Sequence, residues 1–141
     1  VTDSLGLPSA PDTVVITVIA PPQAGVLFAP DHTVQAQPGE VLTFTHTLTN
    51  TGEVTDTFDL TLTGDWTTLL TATPLTLTVG ATATVQVEIT VPLDATGSYA
   101  TTITATSRLD SAVFAIVRNV VTIRDESPRS YIFLPLILRN Y

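Results

Sequence analysis

The chain has 141 residues, 44% of them hydrophobic, and 13 acidic against 5 basic side chains give a net charge of −8. That length suits one domain with an appended strand, able to bury roughly two-thirds of its unfolded surface. The acid excess argues against nucleic acid or an anionic membrane surface as a partner, since both need a basic footprint, and the lack of cysteine removes disulfides and thiolate chemistry.

Threonine supplies about a fifth of all residues, and valine, isoleucine and leucine most of the apolar remainder. Thr and Val are stiff at χ1 and fit a pleated sheet better than a helix. No stretch sustains a 3.6-residue apolar period, so an all-β fold is expected.

In chain order, residues 13–20 (TVVITVIA) read as a strand that ends at Pro21-Pro22. Residues 26–37 form an opening segment kinked around Pro30. Residues 41–49 (VLTFTHTLT) alternate strictly, with Leu42, Phe44, His46 and Leu48 on one face and threonines on the other. Asn50-Thr51-Gly52 signals a turn. Residues 56–63 alternate again, Phe58, Leu60 and Leu62 inward and Asp59 and Thr61 outward, before a Gly64-Asp65 turn and Trp66. A short strand over 75–79 ends at Gly80, and residues 82–91 turn Val85, Val87, Ile89 and Val91 inward. Strands over 99–106 and 113–123 close the series. About seven short strands at this spacing predict an antiparallel immunoglobulin-like β-sandwich over 26–123, with extra N- and C-terminal strands. Tyr99, after Gly97-Ser98, is placed to form a tyrosine corner.

Pro38-Gly39, Phe44, Asn50-Thr51-Gly52, Asp56, Phe58, Leu60, Trp66, Val91-Pro92, Gly97, Tyr99 and Ala105-Thr106-Ser107 together resemble the skeleton of NEW3-type bacterial Ig-like domains. The resemblance spans about residues 26–123 and departs from the pattern at Val79-Gly80, where Pro-Gly is usual, and at His46, usually aliphatic. It implies an accessory sandwich attached to a secreted hydrolase or surface protein, with no catalytic residues to carry over. Residues 2–20, with Asp3-Ser4-Leu5-Gly6 and then Asp12 to Val18, are similar to the closing hairpin of PKD-like or cadherin-like Ig repeats. On that resemblance 1–25 is the remnant of a preceding domain; the alternative is an ordinary leading strand. Residues 124–141 form a tail strand whose end, YIFLPLILRNY, resembles a C-terminal signature of other secreted bacterial proteins. Without a starting Met or leader, the chain is expected to be cut from a longer one.

Candidates for chemistry are few. His46 is the one inward-facing polar residue in the alternating strands; it is expected to be buried and hydrogen-bonded, and replaceable by valine without loss of stability. Only His32 could join it on a metal, and no recognised ligand spacing exists. A Ser-His-Asp triad lacks a nucleophile-elbow motif. Asp56 and Asp59, three apart on a strand, face opposite sides, which disfavours a glycosidase pair; Asp56 is expected to cap the turn after Asn50. Asp94, Asp110, Asp125 and Glu126 read as loop charges. Trp66 is the candidate ligand contact: exposed, it would stack on a sugar, and buried, it is core.

The expected function is a non-catalytic structural spacer and interaction module of a larger secreted or cell-surface protein, accessory to a hydrolase, with a carbohydrate-binding module using Trp66 as the alternative. No enzyme activity, cofactor or metal is expected. Its partners would be neighbouring domains of the parent chain. Residues 13–20 and 131–138 are apolar on both faces, too short to span a bilayer, and exposed edges of that kind must be covered. The tail is therefore expected to dock on the sandwich, Pro135 placing it at an edge or bulge, with the leading strand near it or exchanged with a second copy.

Overall fold

The computed structural model describes residues 15–125. Among these residues nine strands run in the order β1 (Val26–Ala29), β2 (His32–Ala36), β3 (Val41–Asn50), β4 (Asp56–Thr63), β5 (Thr67–Leu69), β6 (Leu75–Leu77), β7 (Thr82–Thr90), β8 (Ser98–Ser107) and β9 (Phe114–Ile123). They form two sheets, ordered β1-β3-β7-β5 and β2-β9-β8-β4-β6. The chain is an Ig-like β-sandwich. One pair departs from the antiparallel expectation, because β2 lies parallel to β9, with His32 opposite Asn119 and Ala36 opposite Ile123.

The alternation of apolar and hydroxyl residues decides which face closes. Phe44, His46 and Leu48 of β3 meet Val85, Val87 and Ile89 of β7 on one inner layer; Phe58 and Leu60 of β4, Ile103 and Ala105 of β8 and Val117 and Val121 of β9 form the other. Burying a side chain such as Phe58 or Leu48 completely stabilises the fold by about 1.5–3 kcal/mol before entropy. The outer faces are largely threonine: Thr47 pairs with Thr84, Thr49 with Thr82, and Thr61 with Thr104. β-Branched hydroxyl residues keep the pleat without adding exposed apolar area.

Three segments differ from expectation. β5 goes unmarked in the sequence because it has three residues, pairing with Ile89 to Val87 of β7 at the sheet edge. The predicted strand over 13–20 is not formed among the described residues: residues 15–20 lie outside any strand and are exposed, and residues 13 and 14 lie outside the described residues. Apolar β-branched content sets a preference, but a strand also needs an edge to pair with, and Pro21-Pro22 cannot continue a ladder. Arg124 and Asp125 follow β9 without strand structure; the predicted tail strand beyond them, and the resemblance of residues 2–14, lie outside the described residues.

The approach to β1 is firmly held. Thr51 N–H donates to Gly25 O, Glu53 N–H to Gln23 O, and Gln23 N–H to the Glu53 carboxylate. The contact is so close that a Cβ on Gly52 would stand 2.8 Å from Gln23 O, which is why a glycine is required there.

Candidate functional site

His46 sits mid-β3, fully buried, where the leading strands pass from one sheet to the other. β1 pairs with β3 only as far as Ala29 opposite Thr47; the chain then crosses through Pro30 and Asp31 into β2 on the opposite sheet. Backbone groups at such a crossing lose their ladder partners and need others. The His46 Nδ1–H donates to Pro30 O at 2.7 Å. Continuing the β1–β3 register would set residue 31 opposite Thr45; instead the His32 Nε2–H donates to Thr45 O at 3.0 Å. Asp31 Oδ1 accepts from Arg118 N–H at 2.8 Å, one residue before β2 takes over the β9 edge. Both imidazoles thus replace missing ladder bonds.

With Nδ1 donating, Nε2 of the neutral ring accepts, and it faces Asn119 Nδ2 at 3.2 Å. Asn119 is fully buried on β9, and its Oδ1 has no hydrogen-bond partner among the described residues. The rings stack into a small cluster, His46 edge-on to Phe28 at 5.7 Å and His32 5.0 Å from His46 and 5.3 Å from Phe44. Burial pushes the His46 imidazole below its ordinary value of 6.5; the Pro30 carbonyl opposes that shift, His32 adds to it and Asp31 opposes it. Expected to be buried and bonded, His46 is so. Its partners are a carbonyl and an amide, and neither a serine nor a carboxylate bonds to the ring, so no triad forms around it. Asn119, a polar residue in inward register between Val117 and Val121, is the partner that the sequence reading passed over.

Asp56 does not cap the turn after Asn50, contrary to expectation. Asn50 does that itself, accepting from Gly52 N–H at its Oδ1 and donating from Nδ2 to Val54 O and Leu77 O. The buried Asp56 carboxylate accepts from Thr57 N–H and Leu109 N–H and from the Ser107 hydroxyl, whose oxygen in turn accepts from Asp110 N–H. Asp56 therefore organises the β8–β9 turn. Asp59 faces outward, as expected, and accepts from Arg108 Nε–H at 2.9 Å and Nη2–H at 2.8 Å, bonds that hold its carboxyl below the usual range. The two aspartates are on opposite faces and do not form a pair. Among the described residues no group of three or more His, Cys, Asp or Glu is placed to hold a metal ion.

Trp66 is half-buried. Its ring packs against the core and against Tyr99, centroids 3.8 Å apart at 55°. Its backbone is in the left-handed region, with φ of 63°, and its carbonyl accepts from Thr90 N–H. Tyr99 thus serves as the floor of the indole; a hydroxyl-to-backbone corner bond is not among the hydrogen bonds of the described residues. Two open grooves, of about 530 and 440 Å³, share Pro38 and Arg124 in their lining; Gly39 and Glu40 complete the first, and Leu93 and Ile123 the second. Neither contains a histidine.

No known family's sequence profile matches the chain, and no curated protein does. Solved structures match by fold. The secreted serine protease VesC of Vibrio cholerae superposes with a TM-score of 0.56 at 14% identity, over 72% of this chain and 23% of the protease. A family 123 glycoside hydrolase from Clostridium perfringens gives 0.57 at 11% identity, over 72% and 27%. The PapD-like domain 7 of human CEP192 gives 0.55 at 11% identity, over 83% of this chain and 98% of that domain. The chain spans about a quarter of each of these two enzymes, and at these identities the likeness is one of fold.

Proposed function

We propose that the chain is a non-catalytic spacer and interaction module of a larger secreted or cell-surface protein, accessory to a hydrolase and of the NEW3-type Ig-like class. The observation that supports this reading is that the side chains suited to chemistry are committed to the fold. His46 has no exposed surface and both ring nitrogens are occupied; Asp56 is spent on backbone N–H groups and Ser107; Asp59 is held by Arg108. A group without solvent access cannot meet a bulk substrate. The acidic, lysine-free and cysteine-free composition supports a setting outside the cell, and the sandwich recurs as a minor part of a secreted protease and of a glycoside hydrolase. The test is a panel of ester, peptide and glycoside substrates offered to the purified chain. No turnover is expected; turnover abolished by His46→Gln or Asp59→Asn would overturn the reading.

A second reading rests on Trp66. Trp66 is a half-buried indole braced by Tyr99, and an aromatic ring that keeps some exposure is the element on which a sugar stacks. Retention on insoluble polysaccharides, lost on Trp66→Ala, would establish it; free passage through each would remove it.

A further inference from the structure

The β9 edge is only partly covered. β2 pairs with Asn119 to Ile123, leaving Phe114 to Val117 bonded to β8 alone among the described residues. Ser107 N–H donates to Val113 O and Ile123 N–H to Gly97 O, so odd-numbered β9 residues exchange bonds with β8. The even-numbered ones turn their N–H and C=O groups to the other edge, as Arg118 N–H shows by donating to Asp31. At this level Phe114 and Ile116 offer two donors and two acceptors with no residue of β2 opposite, and the two residues are 53% and 48% exposed. An unpaired edge with apolar side chains is a template for another strand.

The same molecule displays a strand without a partner. Val15, Ile16, Val18 and Ile19 are 79–88% exposed, in a six-residue stretch with no charge, proline or glycine. Such a stretch has the composition of a pairing segment. It leaves the body near this unpaired edge, because Pro21 and Pro22 line a groove with Leu109 and Val113, the residue before β9. It does not turn back onto that edge. Gln23 and Gly25 are clamped to the 51–53 turn, the two prolines fix φ, and Ala20 before a proline is held extended.

We propose that Val15–Ala20 of one copy adds as a strand to the Phe114–Val117 edge of a second copy, and that the exchange is reciprocal. A mutual exchange of identical elements closes as a twofold dimer and leaves neither edge open. The proposal goes beyond the spacer reading and does not depend on it. The chain has no cysteine, so introduced thiols report without interference. One preparation carries Val18→Cys and another Phe114→Cys; mixed under mild oxidation, they should yield disulfide-linked heterodimers well above the level given by Val18→Cys mixed with Asp110→Cys. The parent chain should sediment as a concentration-dependent dimer, and Thr17→Pro, outside the folded body, should make it monomeric with an unchanged β-sheet spectrum. A monomeric parent chain, a dimer that survives Thr17→Pro, or a cross-link that forms only within one chain carrying both cysteines would each overturn the proposal.

Discussion

Asp56 and Ser107, 51 residues apart in the chain, share a buried hydrogen bond that ties the start of β4 to the end of β8. The carboxylate also holds Thr57 and Leu109 N–H groups, and the hydroxyl holds that of Asp110. Removing one member leaves the others, buried or part-buried, without that partner.

Asp56→Ala should therefore destabilise the domain by about 2–3 kcal/mol and Ser107→Ala by about 1 kcal/mol, read by urea unfolding. The double variant should lose less than the sum, since the two side chains act as one unit. Additive losses would show that they act separately.

Replacing Arg108 gives the contrasting result. Its ion pair with Asp59 is half-exposed on the outer face, 55% and 45% by side chain, and water replaces it at little cost. Arg108→Ala should leave the unfolding midpoint within error at ordinary salt. A clear drop would mean that the pair organises the turn beside it.

His46→Val, read from the sequence as neutral or stabilising, should instead cost about 1–3 kcal/mol. Valine would fit the core register, but Pro30 O and the Asn119 amide would be left buried and unbonded. Unfolding of His46→Val beside His46→Val/Asn119→Leu checks this: the second change should recover part of the loss by removing an orphaned polar group.

The pH dependence follows from the depressed His46 value. Above about 6.5 the ring is neutral in both the folded and unfolded chain, and it adds no pH dependence. As pH falls below 6.5 the unfolded chain takes up a proton that the folded one refuses, so stability falls until pH passes the lower, folded value. Unfolding free energies between about pH 8 and about pH 5 should show this slope, and His46→Gln should flatten it. An equal slope in His46→Gln would assign the titration elsewhere.

Tyr99→Phe should change stability by less than about 0.5 kcal/mol, because the ring supports Trp66 and the hydroxyl makes no corner bond within the described residues. Trp66→Ala should cost about 2 kcal/mol through lost packing. A large loss for Tyr99→Phe would reveal a hydroxyl bond that matters.

What could be read in advance follows the range of the forces involved. β3, β4, β7, β8 and β9 were legible because a two-residue alternation shows which face is buried. His46 and the opposed faces of Asp56 and Asp59 came from the same period. β5 was not legible, since three residues at an edge hold too little pattern. Val15 to Ala20 misled, because apolar content says that a segment prefers pairing but not that an edge is within reach. The partners of His46 and Asp56 escaped for one reason: Pro30, Asn119 and Leu109 meet them only after the strands have crossed and turned.

The parallel run of β2 against β9 has a mechanical meaning. The chain enters β2 midway along β9, opposite Asn119, and the two strands finish at the same end, at Ala36 and Ile123. Tension applied at the two ends of the sandwich would draw the two strands past each other lengthwise. The bonds along this five-residue strand would then be strained together, in shear, rather than opened one after another from an end. A sandwich tethered in this way resists stretching along its strand axis more than peeling across it.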